Sequence, residues 1–242
     1  MDLLTSRKSW LLAPAVFALC VGALVTIWAS LDPAACMAFV DSDGCSPFEL
    51  MTLPLFALIV PMAWLTCPVG GPLRRQCGWS SVYSLLGVMA LVREQDWHKA
   101  LFAKIWPEIA NTFPGTVFKM RFLKADQVPF VPKLFVLLFF VAFFTAVLLP
   151  LIRYFIPLAK GFFKREVVSW TMVCFGGAGV MTLFFDRLPA NLRDMDVAVS
   201  DSTRALFAVL EEGSEMMLAI FGLLAILQAH LIFVRRNVSE AI

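Results

Sequence analysis

Three groups of ionisable residues lie beside long apolar segments of this chain. They are Arg93-Glu94-Gln95-Asp96-Trp97-His98, Asp186-Arg187 and Glu211-Glu212-Gly213-Ser214-Glu215. A charged side chain at the centre of a helix in a bilayer costs roughly 2.5–3.5 kcal/mol on insertion scales, so such residues are usually kept for a purpose. The candidate chemistry of the sequence is therefore concentrated in these groups.

Helical spacing would place several of these side chains on shared faces. Glu94 and His98 are four residues apart, and so are Glu211 and Glu215. One imidazole with several carboxylates suits zinc, iron or manganese, and it also suits acid–base hydrolysis with an orienting carboxylate. The candidate metal ligands are Glu94, His98, Glu211 and Glu215, and the candidate catalytic residues are Glu94, His98, Glu212 and Asp186.

A structural role is the leading interpretation of the same groups. Arg93, Asp96, Arg187 and Arg204 lie in the same region as the carboxylates. Half-buried carboxylates at a membrane face are commonly kept ionised by basic partners. The sequence has no H-E-x-x-H signature, and a single histidine is thin support for a metal. An ion-pair network is therefore preferred, with a divalent metal as the alternative cofactor and a proton or cation pathway as a third interpretation.

The composition places the helices that carry these groups in a membrane. The chain is 60% hydrophobic and 16% charged, with a mean hydropathy of +0.80. Soluble domains are about 45–50% apolar and about 25% charged. The apolar segments are long and continuous, which favours helices over the alternating strands of a barrel. The basic residues form short clusters beside these segments, so no nucleic-acid partner is expected.

We therefore predict an all-α fold, a polytopic transmembrane helix bundle of about six spans that forms a single domain over residues 1–242. The predicted spans are near 10–30, 49–67, 78–93, 129–152, 166–186 and 205–234. The glycine run Gly176-Gly177-Ala178-Gly179 in the fifth span is expected to let a neighbouring helix approach closely.

The distribution of basic residues predicts the topology. Six spans put both termini on one side, together with Arg74/Arg75 and the loop from Arg153 to Arg165. The positive-inside rule makes that side cytoplasmic. The loop from Arg93 to Lys133 holds seven basic residues and would be external, whereas removing the third span would put it inside.

An amphipathic segment follows the third span. Trp97, Leu101, Ile105, Trp106 and Ile109 recur at helical spacing, which predicts a helix in the membrane interface between spans 3 and 4. The alternation over 118–122 predicts a short extended piece after it. Lipid contact and docking of another subunit are both open interpretations of this segment.

Two cysteines share the first external loop. Cys36 and Cys45 lie there with three aspartates. A disulfide between them would require an oxidising compartment.

The ionisable groups also carry a family resemblance. The pattern Arg93-Glu94-x-Asp96-x-His98, then Asp186-Arg187, then Glu211-Glu212-x-x-Glu215 resembles one in uncharacterised polytopic inner-membrane proteins of bacteria, over roughly residues 80–230. The resemblance implies a bacterial cytoplasmic (inner) membrane and a shared polar site at one membrane face, and it carries no activity.

The expected function is that of an accessory or scaffolding subunit of an envelope complex. Its expected partners are the lipid bilayer and other membrane-protein subunits. The alternative is a membrane-embedded metal-dependent hydrolase or transferase acting on lipid headgroups, and a cation or proton transporter is third.

Overall fold

The computed structural model describes residues 2–6, 8–40, 46–66, 73–95, 97–112 and 120–240 of the protein. Within these ranges, side chains are not described at 2–3, 73–79, 93–94, 98, 110–112, 120–121 and 236–240. The helices are α1 (Asp2–Thr5), α2 (Leu12–Ser30), α3 (Pro33–Val40), α4 (Pro47–Leu65), α5 (Leu73–Glu94), α6 (Trp97–Ile105), α7 (Pro107–Thr112), α8 (Met120–Lys124), α9 (Phe130–Phe163), α10 (Val167–Asp194) and α11 (Asp201–Glu240). A 3-10 turn, Ser9–Leu11, precedes α2.

The described chain is an all-α helical bundle, as the composition predicts. Five helices are long and apolar enough to cross a membrane. They are Ser9–Ser30, Pro47–Leu65, Phe130–Phe163, Val167–Asp194 and Asp201–Arg235. The apolar part of α5, Ser80–Val92, is shorter.

Interhelix contacts show that α5 nevertheless packs along α4. The Ser80 hydroxyl donates to the Ala63 carbonyl at 2.6 Å, and a Cβ on Gly87 would lie 3.3 Å from the Phe56 carbonyl oxygen. Residue numbers along α5 increase while the numbers of the α4 residues that they contact decrease, so α5 runs antiparallel to α4. It therefore returns the chain to the end of the bundle from which α9 departs.

The two ends of the described chain meet at the opposite end of the bundle. Arg235 donates to the Thr5 hydroxyl at 3.3 Å. Nearby in the chain, His230 Nδ1 lies 3.0 Å from the Thr66 carbonyl oxygen. The Arg165 guanidinium, in the turn between α9 and α10, lies over the Trp10 ring at 5.2 Å. Placing this end in the cytoplasm stays a prediction.

Helix α11 is the centre of the bundle. It packs against α2, α3, α4 and α10, and its inward side chains Val209, Met217 and Phe221 are fully buried. The closest approach is at Gly213, where a Cβ would overlap the Leu24 side chain of α2.

The glycine run of α10 packs less closely than Gly213 does. A Cβ on Gly176 would meet nothing within 4 Å, and one on Gly179 would lie 3.6 Å from Leu218. A Cβ on Gly177 would lie in ordinary contact with Phe17 of α2 at 3.5 Å, and Ala178 is fully buried. The middle of the run therefore packs against its neighbours, and its glycines have room for a methyl group.

Helices α6 to α8 form a small cap at one end of α9. Phe102, Ile109 and Phe122 are buried together with Val128 and Val136 in one apolar cluster. The predicted helix over the amphipathic segment is confirmed. The predicted extended piece at 118–122 is wrong where it is described, because Met120–Lys124 is helical and Phe122 packs edge-on against Phe102 at 5.2 Å.

Two helices end in the same left-handed motif. At the end of α9, the Glu166 amide donates to the Gly161 carbonyl at 2.8 Å and the Arg165 amide to the Phe162 carbonyl at 3.0 Å, with Arg165 at φ 58°. Asp196 occupies the corresponding position after α10, at φ 55°. This Schellman geometry satisfies the last carbonyls of a helix.

Candidate functional site

Contacts between α10 and α11 fix the relative heights of their acidic residues. The hydroxyls of Thr182 and Ser214 are 2.8 Å apart, and the rings of Phe185 and Phe207 lie 6.0 Å apart. The two helices are antiparallel, so residue numbers on α10 rise as those opposite on α11 fall. Asp186 therefore lies within about one helical turn of Glu211 in height.

Contacts through α4 place the end of α5 at the same height. Ile59 of α4 packs beside Gly222 of α11, and α4 runs parallel to α11 from there to the Thr66–His230 contact. Extending the α4–α5 pairing by two turns puts the backbone of Glu94 beside that of Glu49, which is at about the height of Glu212. We call the height shared by Glu94, Asp186 and residues 211–215 the acidic level.

Among the described carboxylates of the acidic level, Glu215 is the most deeply buried. Its residue is 3% exposed, and it lines a cavity of 190 Å³ between α4, α5, α10 and α11. The remaining lining is apolar or aromatic and includes Phe56, Tyr83 and Phe175. Since α11 begins at Asp201, Glu215 lies several turns inside the helix.

The neighbours of Glu215 on α11 differ in exposure and role. Glu211 and Glu212 are half-buried. The Ser214 hydroxyl is fully buried and bonds both the Glu211 carbonyl, at 2.8 Å, and the Thr182 hydroxyl. Ser214 thus ties α11 to α10.

The ion pairs of Arg187 and Arg204 are local. Arg187 lies 3.6 Å from Asp186, its chain neighbour, and both side chains are exposed. Arg204 lies 3.9 Å from Asp201 within the first turn of α11. Exposed pairs of this kind contribute little to stability. Arg187 thus lies beside Asp186 at the acidic level, whereas Arg204 lies about two helical turns before Glu211 on α11.

The predicted metal site depends on residues outside the described set. Nothing is described for Asp96 or for the side chains of Arg93, Glu94 and His98. Among the side chains that are described, no three histidines, cysteines or acidic residues come close enough to hold a metal. The metal set and the ion-pair network around Glu94 and His98 both stay predictions.

An apolar cleft adjoins the acidic level. It has a volume of 460 Å³ and lies between the last turns of α5, the helix α6 and the first turns of α9. Its walls include Met89, Val92, Leu101, Ile105 and Phe139. Sequence reasoning missed this cleft, although the stripe of Trp97, Leu101 and Ile105 at every fourth residue was its visible signal.

No protein-family model, no curated protein and no solved structure matches this chain.

The segment between α2 and α4 holds a short helix, α3, that our sequence analysis did not predict. Asp32 caps it, because its carboxylate accepts from the amides of Ala34 and Ala35 at 3.1 and 2.9 Å. Cys36 is fully buried, and both this burial and the charge of Asp32 raise the pKa of its thiol. A thiol of this kind is a weak nucleophile. Cys45 lies outside the described residues, so the proposed disulfide stays a prediction.

Proposed function

We propose that this membrane protein is an accessory or scaffolding subunit of a complex in the bacterial cytoplasmic membrane. The exposure of α9 carries the proposal. The most apolar 18-residue stretch of α9 has a mean hydropathy of 2.9, but only 6% of this stretch is buried inside the protein. In the corresponding stretch of α11, 39% is buried. This long helix is thus attached to the bundle along a small part of its surface.

The surface of α9 has the form of an aromatic ridge. Phe139 stacks on Phe143 at 6.2 Å, and Phe140 stacks on Phe144 at 6.0 Å. Lipid tails are as apolar as leucine, so helices associate in membranes through close packing and polar contacts instead of hydrophobicity. An ordered ridge of rings offers packing detail that a second transmembrane helix can match.

Site-specific photocrosslinking in native membranes tests the proposal. A crosslinking residue at Phe144, which is 52% exposed, is compared with one at Leu19 of α2, which is 72% exposed. We expect Phe144 to capture one defined chain that also copurifies without crosslinking, and Leu19 to capture lipid. Lipid adducts alone at both positions would overturn the subunit proposal.

A second candidate function is a metal-dependent hydrolase or transferase acting on lipid headgroups. The observation that favours it is the adjacency of the acidic level and the apolar cleft, since Met89 and Val92 precede Glu94 on the same helix. Such an arrangement would hold an acyl chain while carboxylates faced the headgroup.

Elemental analysis of the purified chain tests this second candidate. We expect stoichiometric zinc, iron or manganese that is lost in His98→Ala and retained in His230→Ala. His230 is the matched control because it lies at the opposite end of the bundle, against Thr66. If the protein contains no metal after purification in buffers that supply zinc, iron and manganese, the metal-dependent enzyme is excluded.

A further inference from the structure

We propose that the cleft between α5, α6 and α9 binds one acyl chain of an anionic phospholipid. The inference goes beyond the subunit proposal and does not depend on it. Three observations support it: the lining of the cleft, its place in the fold and the charge of α6.

The lining sets the chemistry of the occupant. All ten lining side chains are aliphatic, aromatic or thioether groups. The volume of 460 Å³ falls within the range of about 300–1,000 Å³ that is typical of small-molecule sites. An occupant of this cleft is therefore a hydrocarbon of the size of a lipid tail.

The place of the cleft sets the source of that hydrocarbon. Two of its walls, α5 and α9, are apolar bundle helices, and the third is the amphipathic helix α6 at their end. Trp97 lies on this third wall and Trp106 directly follows it, and tryptophan is enriched where hydrocarbon meets headgroups. Leu101 is 60% exposed and Phe135 is 55% exposed. A tail of the surrounding leaflet reaches these surfaces without leaving the membrane.

The charge of α6 selects the headgroup. The helix itself carries Lys99 and Lys104 and no acidic residue, and the segment 93–133 that contains it has seven lysines or arginines against four acidic residues, a net positive charge. Both lysines are exposed, and Lys104 is three residues from Leu101, on a neighbouring position of the helix surface. Lysines beside a membrane attract anionic lipids by about fivefold in affinity each. The favoured lipid is therefore one with a negatively charged phosphate headgroup, such as phosphatidylglycerol.

Photolabelling of the purified chain in defined vesicles tests the inference. The full chain is reconstituted in phosphatidylcholine vesicles that contain phosphatidylglycerol with a photoreactive group on one acyl chain. After irradiation, we expect labelled peptides from α6 and from residues 135–139, at a higher yield than from the exposed Leu148 of α9. Replacing the probe with photoreactive phosphatidylcholine should lower this yield by about fivefold or more.

Two filling variants control the result. Leu101→Trp should abolish labelling of the cleft, and Met89→Trp fills the opposite wall if the first variant does not fold. Leu19→Trp on α2 is the matched surface control and should leave the labelling unchanged. Labelling of the cleft no stronger than that at Leu148, or equal from the two lipids, would overturn the inference. The photolabelling experiment contains only the purified chain and lipid. A negative result therefore does not bear on the subunit proposal, and a negative crosslinking result in native membranes does not bear on lipid binding.

Discussion

Single side chains decide where the helices of this bundle can touch. Gly213 and Glu215 are two residues apart on α11, yet they serve different neighbours. Gly213 lets α2 approach, and Glu215 lines the cavity shared with α4, α5 and α10. Each role can be tested with a variant and a control from the same chain.

Gly213→Ala is expected to destabilise the bundle by about 1–3 kcal/mol, because the new methyl group would overlap Leu24. Gly176→Ala is the matched control, since a Cβ there meets nothing within 4 Å. Thermal unfolding in detergent should separate the two variants. Equal melting temperatures would mean that α2 and α11 are not in close contact at Gly213.

If Glu215 belongs to the predicted ion-pair network, Glu215→Gln should lower stability by about 1–3 kcal/mol, because the amide keeps the size of the side chain but removes the charge that the network requires. Asp186→Asn is the control at the same height, and its exposed carboxylate should give a change within about 0.5 kcal/mol. Thermal unfolding of both variants provides the comparison. A fully stable Glu215→Gln would argue against a structural role for the carboxylate and in favour of a functional one.

At the scale of the elements, one residue between α9 and α10, Arg165, both adopts the backbone conformation that ends α9 and contacts an aromatic ring. Arg165 adopts a left-handed conformation, and its guanidinium lies over the Trp10 ring at 5.2 Å. Trp10 in turn packs against Trp170 at 4.8 Å. One residue thus links the start of α2 to the turn between two later helices.

Arg165→Ala and Arg165→Gly separate these two contributions. Both variants lose the cation–π contact, which contributes about 0.5–1 kcal/mol at an exposed site. Only alanine also bears the strain of a positive φ, so it should be less stable than glycine by about 1 kcal/mol. Unfolding in detergent measures the difference. An alanine variant as stable as the glycine variant would show that the left-handed turn is not maintained.

The elements also show which parts of the fold the sequence could predict. Continuous apolar segments identified the spans, because a bilayer admits few structures other than helices. Helix ends were less predictable: α9 extends to Phe163 and α11 begins at Asp201, since polar end turns continue a helix beyond the apolar segment. The packing roles of Gly176 and Gly213 could not be predicted, because they depend on which helix lies opposite.

At the scale of the whole molecule, the prediction concerns its two faces. A cysteine at Val197, after α10, and one at Lys164, before it, lie at opposite ends of that helix. We expect an impermeant maleimide to label Val197→Cys in intact cells and Lys164→Cys only after permeabilisation. In each case the labelling yield should exceed that of the unsubstituted chain. The reversed pattern would place the acidic level and the lipid cleft in the cytoplasmic half.

The candidate site was predictable only in part at this scale. Counting spans was enough to predict that residues 94, 186 and 211–215 share one face, and the backbone heights agree. The cleft was not predictable, because its walls come from segments separated by more than thirty residues, such as Val92 and Phe135. The sequence shows the stripe on α6, whereas the opposing surface exists only in the folded chain.

The central position of α11 has a consequence for biosynthesis. The ribosome completes α2 and α4 long before α11, by on the order of ten seconds or more at roughly 5–20 residues per second. During this interval both helices are in the membrane without their main packing partner. Assembly of the bundle therefore waits for the synthesis of α11, and a nascent chain that stalls before Asp201 presents loosely associated helices to the quality-control proteases of the membrane.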